Sequence, residues 1–438
     1  MFLPVLYVRV FTPLTKKNLL IFFLIFIIMP MVVWGELTKS AIDSTKIEEE
    51  IDARITSHNE DPDAHGLADM ALYAHRSGDV LDHIAESVKN IKIQKMARAF
   101  KFIVDAAGEG DYTTIQPAID AANAVGGGRI LIKAGTYVQN TDLVLYSNIE
   151  LIGEDDDVSI IDFNHTAYGV RIVGESANYK RNIKLTNLTI KGSRKNSEGA
   201  VYLWFVQDSS ISECYFTDNN GDSITWLPDV NGYKTRRILL FRNRHIESPV
   251  AVSIVSSQEW RVEFSTIKNA TISSPYNAIY LSDVSDIRIL ENTLDTEFTQ
   301  YGIKAESSSR IIIKSNYFRW PYTYGIYFSE CNNSIITGNI LYGGTSYTDY
   351  GIYLTASNKN IISNNWLDTM SADGIFLVDS DHNTINGNYV AASGGWGINI
   401  SNAACDYTLV ISNQLRANTS GGVQNLGTGS VVAYNLVS

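Results

Sequence analysis

Two aspartates stand one repeat apart at the same edge of a periodic sequence. Asp373 immediately precedes the glycine of Gly374-Ile375-Phe376-Leu377, and Asp349 lies two residues before that of Gly351-Ile352-Tyr353-Leu354. Two carboxyl groups about 5–5.5 Å apart can cleave a glycosidic bond with retention, and about 6.5–9.5 Å apart with inversion. Neighbouring windings of a repeat could supply such a pair, one acting as acid and the other as base, so Asp349 and Asp373 are the candidate catalytic residues. The plainer reading is that they are solvated turn residues. Asp222 fills the slot of Asp373 several repeats earlier, too far away to cooperate, and Glu330 and Asp379 share another slot with one repeat between them.

The slot before each repeat glycine has more character. It reads Tyr301, Tyr324, Tyr350, Asp373 and Trp396 on successive repeats, flanked by Trp320, Tyr322 and Tyr347. Outward-facing rings at the spacing of the windings would stack on the sugars of a polysaccharide. Tyr301, Tyr324, Tyr350, Trp396 and Trp320 are therefore the candidate substrate-binding residues. The competing structural reading has the rings stacking on one another and stiffening the protein.

Such slots need a repeating scaffold. Asparagine returns every 22 to 29 residues in one apolar phrase, at Asn187, Asn243, Asn292, Asn316, Asn339, Asn365, Asn388, Asn413 and Asn435. Cys214 and Ser265 fill the two places where the period lacks an asparagine. A period in this range means stacked supersecondary units. Each unit carries the glycine phrase, a short Ile/Val run such as Ile311-Ile312-Ile313, and the asparagine phrase, with polar turns between them. Alternation bounded by Gly, Asn, Ser and Asp predicts short strands, and no unit has room for a helix. The expected fold is an all-β, right-handed, single-stranded parallel β-helix of about 11–13 coils, its strands stacked about 4.8 Å apart. The asparagines are expected to be structural. Asn tolerates left-handed backbone, and its amide can bond the same amide one coil above and below.

The chain of 438 residues is 45% hydrophobic, 19% charged and carries 24 tyrosines, which suits an elongated β-protein with a sugar-facing surface. Its net charge of −12 removes the electrostatic basis for nucleic-acid binding. Three scattered cysteines, Cys214, Cys331 and Cys405, form neither a disulfide framework nor a zinc pattern. No metal and no cofactor is expected. Residues 1–35 hold an apolar run at 19–34, read as a leader, an anchor or sequence upstream of the true start; membrane contact is expected only if it is an anchor. Residues 36–100 form an expected small helical collar or assembly segment, with Ile47, Ile51 and Ile55 on one face. Four of the seven histidines (His58, His65, His75, His83) fall in it, at spacings that match no standard ligand set. Residues 101–438 are the β-helix domain.

Three phrases carry a family resemblance: Gly108-Glu109-Gly110-Asp111-Tyr112-Thr113-Thr114-Ile115-Gln116, Ala118-Ile119-Asp120-Ala121-Ala122, and Gly126-Gly127-Gly128-Arg129 running on to Gly135-Thr136-Tyr137. Together they resemble the opening segment of pectate-lyase-like right-handed β-helix proteins. That resemblance implies a short helix capping the first coil, and Ile115, Ala118, Ile119 and Ala122 do share one helical face. The later coils are similar to the NosD-type repeats of periplasmic proteins. The phrase His58-Asn59, Asp61-Pro62, Ala64-His65 resembles a segment of bacteriophage tail-fibre and tailspike proteins. This implies a virion tail or cell-surface location, a homotrimer, other tail proteins as partners and a cell-surface polysaccharide as ligand. The Gly-His-Gly and Arg-Ile-Lys phrases of polygalacturonases and the Arg-x-x-Arg-x-Pro phrase of pectate lyases do not occur, and Asp381-His382 reads as a turn. Three functions stay open: a tailspike-like glycan binder that also cleaves or does not, a polysaccharide lyase or glycoside hydrolase, and a non-catalytic scaffold.

Overall fold

In the computed structural model, residues 101–438 are described apart from 176–177, 195–198, 226–234, 247–249, 256, 264–265, 269–276, 296–299, 320, 322 and 345–347. The expectations for the leader at 1–35 and the collar at 36–100 lie outside the described residues, as do Trp320, Tyr322 and Tyr347.

The chain winds as the parallel β-helix its period predicts. One winding runs Tyr324–Ser329, then Ile335–Thr337, then Ile340–Tyr342, and re-enters the first position at Tyr350–Thr355. Every strand pairs in parallel with its counterpart one winding away, so the three positions build sheets of 15, 13 and 12 strands. The strand Tyr350–Thr355 belongs to the 12-stranded sheet and Ile361–Ser363 to the 15-stranded sheet, while Trp366–Asp368 lies in the 13-stranded one.

Alternation decides which side chains fill the interior. In Tyr350–Thr355, Ile352 and Leu354 point inward, and the register places Ile352 between Ile326 and Ile375. Ile289, Ile313, Ile336, Ile362 and Ile385 stack likewise in the 15-stranded sheet, all fully buried. Each such side chain contributes about 1.5–3 kcal/mol by leaving water, and β-branched residues fit the pleated surface.

The first coil is closed by the helix Ile115–Ala124, whose Ile115, Ala118, Ile119 and Ala122 are fully buried as the apolar face requires. The next turn needs glycine. Gly127 has φ +123°, and a Cβ there would sit 2.5 Å from the Asn148 carbonyl oxygen. Tyr137, in the strand Gly135–Val138, ties the opening together by donating its hydroxyl to the carbonyls of Val104 and Lys133.

The asparagines form a buried ladder. The Nδ2 of Asn316 donates to Oδ1 of Asn339 at 3.0 Å, Asn339 to Asn365 at 2.9 Å, Asn365 to Asn388 and Asn388 to Asn413 at 3.0 Å. The same oxygens accept the backbone N–H of the preceding asparagine, and each Nδ2 also reaches a carbonyl on the winding behind, as Asn365 does to Ile336. Two expectations need correction. The left-handed residue is the one before each asparagine (Ser315, Asn364, Ser412 and Gly338 among them), not the asparagine itself. Asn187 is off the ladder because it holds that left-handed position at φ 55°. Buried Leu188 takes the ladder slot and accepts from Tyr215 where Asn292 accepts from Tyr317.

Cys214 does occupy a ladder slot, its backbone N–H donating to Asn243 Oδ1 at 3.1 Å. Burial pushes its thiol up to about 12, and does the same for Cys331, which sits in a second ladder and donates its backbone N–H to Ser357 Oγ. These are inert structural thiols. Ser265 lies outside the described residues.

Candidate functional site

The glycine that opens each phrase in the 12-stranded sheet is there for want of space. A Cβ on Gly351 would lie 2.5 Å from Leu367 Cδ2 and 2.7 Å from the Gly374 carbonyl oxygen, and Gly325 is equally closed by Leu341 and Gly351. This tight inner corner fixes the residue before it on the outer face. Register then aligns Tyr301 with Tyr324 and Tyr324 with Tyr350, and the column continues through Asp373 and Trp396.

The rings of this column stack on one another. Tyr301 and Tyr324 have centroids 5.0 Å apart and planes 9° apart; Tyr324 and Tyr350 are 5.6 Å and 11°. Coplanar rings that close would overlap, so the faces look along the rod and the edges outward. The expectation that ring faces are presented to sugars is corrected accordingly: Tyr324 has both faces covered by column neighbours, and Tyr301 and Tyr350 each have one face covered by Tyr324.

A second column, which the sequence reading did not single out, lies beside the first. Tyr327, Tyr353 and Phe376 are in register, with centroids 5.4 Å apart at 13° and 4.9 Å apart at 16°. The two columns interlock edge to face, Tyr324 meeting Tyr327 at 63° and Tyr350 meeting Tyr353 at 75°. Its signal was present in the sequence, since an aromatic residue stands three places after the column residue in three successive phrases.

The six rings make a half-buried plate. Burial raises the phenols of Tyr301, Tyr327, Tyr350 and Tyr353, and pushes Tyr324 up to about 12 with help from the tyrosines around it. They stay protonated at neutral pH and serve as hydrogen-bond donors. Among the described residues, no protein group hydrogen-bonds the hydroxyls of Tyr301, Tyr324, Tyr350 or Tyr353. At the lower end Lys304 lies 5.2 Å from the Tyr301 ring centroid and 2.9 Å from Glu306, which also accepts the Tyr280 hydroxyl.

The two candidate acids have different surroundings. Asp349 is exposed and accepts a hydrogen bond from Ser371 Oγ at 2.8 Å. Asp373 is buried, with Oδ1 accepting the backbone N–H of Trp396 and Oδ2 accepting Asn399 Nδ2 at 2.9 Å. Both carboxylates raise the neighbouring Tyr350 hydroxyl. Trp396 is half-buried, its ring 2.7 Å from where a Cβ on Gly421 would stand. Asp222, several windings away from Asp373, is pushed up to about 6 by burial.

Among the described residues, soft metal donors are scattered. His165 and His382 are exposed, while His245 is buried and stacked on Phe216 with centroids 4.8 Å apart. Among the described residues the one grouping of three potential ligand side chains is Asp155, Asp156 and Asp157, and Arg244 already binds the last two at 2.8 Å. Copper favours imidazole, thiolate and thioether donors, and the described windings bring no such set together.

Comparison with known proteins follows the fold. An alignment 116 positions long, covering 23% of this chain and only 11% of the relative, is 33% identical to mannuronan C5-epimerase AlgE2 of Azotobacter vinelandii. The A-module of the A. vinelandii mannuronan C-5 epimerase AlgE6 superposes with a TM-score of 0.58 at 16% identity, over 74% of this chain and 93% of its own. Gene product 12 of bacteriophage phi29 superposes with a TM-score of 0.63 at 14% identity, over 80% of this chain and 53% of its own. The family profile described as periplasmic copper-binding protein (NosD) matches residues 121–319 and 241–435. With the repeat, the parallel windings and this match agreeing over most of its length, the chain belongs to the NosD family.

Proposed function

We propose that this chain binds a polysaccharide along the outer face of its 12-stranded sheet, as a tailspike-like protein of a virion or cell exterior. The carrying observation is the aromatic plate, whose free phenol hydroxyls recur once per winding. That step is about the length of one sugar in an extended glycan, so successive residues of a chain laid along the rod meet equivalent donors and ring edges. Support comes from the names of similar proteins, which include an enzyme of mannuronan and a bacteriophage gene product. The phrase at residues 58–65 adds the resemblance to phage tail proteins. Homotrimer formation and other tail proteins as partners belong to the same reading.

Catalysis at Asp349 and Asp373 is a subsidiary proposal. Asp349 has the exposure an acid/base needs, whereas both oxygens of Asp373 are engaged by the winding above. The geometry favours binding over cleavage.

Tyr324→Phe combined with Tyr350→Phe tests the binding reading, because it keeps the stack and removes the hydroxyls. Retention on immobilised polysaccharide should fall about tenfold or more, with thermal unfolding within about 1 kcal/mol of the parent. Unchanged retention would remove the plate from the function.

A further inference from the structure

The borders of the aromatic plate are acidic, and this selects among glycans. Where the strands of the 12-stranded sheet end, the backbone turns through a left-handed residue on each winding, and these positions are Asp283, Ser307, Glu330, Ala356 and Asp379. Of these, Glu330 and Asp379 are exposed carboxylates beside the plate, while Asp283, one winding below Tyr301, has an interaction partner of its own. Glu306, one residue before Ser307, adds a third beside the plate that is half-buried. On the opposite border stands exposed Asp349. Against them, among the described residues, the plate holds one cation, Lys304, which is paired with Glu306 at 2.9 Å. The next cations, Arg310 and Lys359, lie three residues further round the turn, where Arg310 is engaged by Asp286 through two contacts of 2.7 Å.

From this layout, and resting on the reading just given, we infer that the plate takes a glycan without carboxylates: a neutral polysaccharide or one bearing amino groups. A polyuronate laid on the tyrosines would bring one negative charge per sugar between the acidic row on one border and Asp349 on the other, with no unpaired cation among the described plate residues to receive it. The border carboxylates are exposed, so this repulsion acts within a Debye length of about 8–10 Å and weakens as salt is added. Neutral sugars lose nothing there, since the phenol hydroxyls bond sugar hydroxyls irrespective of charge and the outward ring edges offer apolar contact. An amino sugar gains from the acidic borders. The inference sets this chain apart from its sequence relative, whose name gives it a polyuronate to act on.

The test is affinity electrophoresis of the full chain through gels holding neutral, amino-bearing or uronate polysaccharides, with a neutral mannan, chitosan and mannuronan among them. Retardation by a neutral or amino-bearing glycan is expected, with mannuronan at least about tenfold weaker. Glu330→Gln with Asp379→Asn should raise mannuronan affinity about threefold and leave neutral binding unchanged. Mannuronan bound as tightly as any other glycan, and lost in the Tyr324→Phe, Tyr350→Phe pair, would overturn the charge selection while keeping the plate as the site. Retardation by no glycan, or retardation untouched by that pair, would overturn both.

Discussion

Asp373 receives the backbone N–H of Trp396 from the winding above, and Asn399 of the same winding donates to its other oxygen. A carboxylate thus stands in the aromatic column where a ring would otherwise be, and it secures the coil that follows.

Asp373→Asn should cost about 1–3 kcal/mol of stability, because one of its two accepting oxygens becomes a donor facing donors. Urea unfolding measures it. A catalytic Asp373 would show instead as polysaccharide cleavage abolished in a variant of unchanged stability, with Asp349→Asn behaving alike.

Asn365→Ala should be harsher. It strands the backbone N–H and the amide of Asn339, both of which donate to Asn365 Oδ1. Leaving buried donors unpaired costs about 1–3 kcal/mol each, so a loss of about 3–5 kcal/mol is expected. A loss under about 1 kcal/mol by chemical denaturation would contradict the ladder's role.

Gly351→Ala adds one methyl where Leu367 and the Gly374 carbonyl leave no room. Overpacking of this kind costs about 1–3 kcal/mol. Because the corner also places Tyr350, tyrosine fluorescence should shift along with the unfolding midpoint.

His245 gives a pH signature. Burial lowers its pKa from 6.5 to about 3, so the unfolded chain takes up a proton first as the medium is acidified. Stability is therefore full above about pH 6.5 and is lost progressively toward pH 3, by a few kcal/mol in total. His245→Phe keeps the stack on Phe216, removes two ring nitrogens that have no partner among the described residues, and should flatten this part of the profile. Parallel wild-type and variant curves between pH 7 and pH 4 would refute the assignment.

The fold was legible because parallel windings force identical demands onto every repeat, and Asn316, Asn339, Asn365, Asn388 and Asn413 answer them with one residue type. The helix at Ile115–Ala124 was legible for the ordinary reason of an apolar face. Asn187 misled because the left-handed slot and the ladder slot are adjacent and both suit asparagine. The aromatic column was visible at Tyr301, Tyr324 and Tyr350, but its ring orientation was not, since spacing along a sequence carries no dihedral angle. Tyr327 and Tyr353 escaped notice because a tyrosine within a strand reads as a β-former until its neighbours across the sheet are known.

Since each winding from Asn292 to Asn435 hands the same amide contact to the next, and Tyr301, Tyr324 and Tyr350 stand one backbone step apart, the ringed face can grow only in whole windings. On the proposed binding, duplicating the repeat of Tyr324 would add about one sugar's worth of surface, and avidity would then be tuned by counting turns while the chemistry of each is left alone.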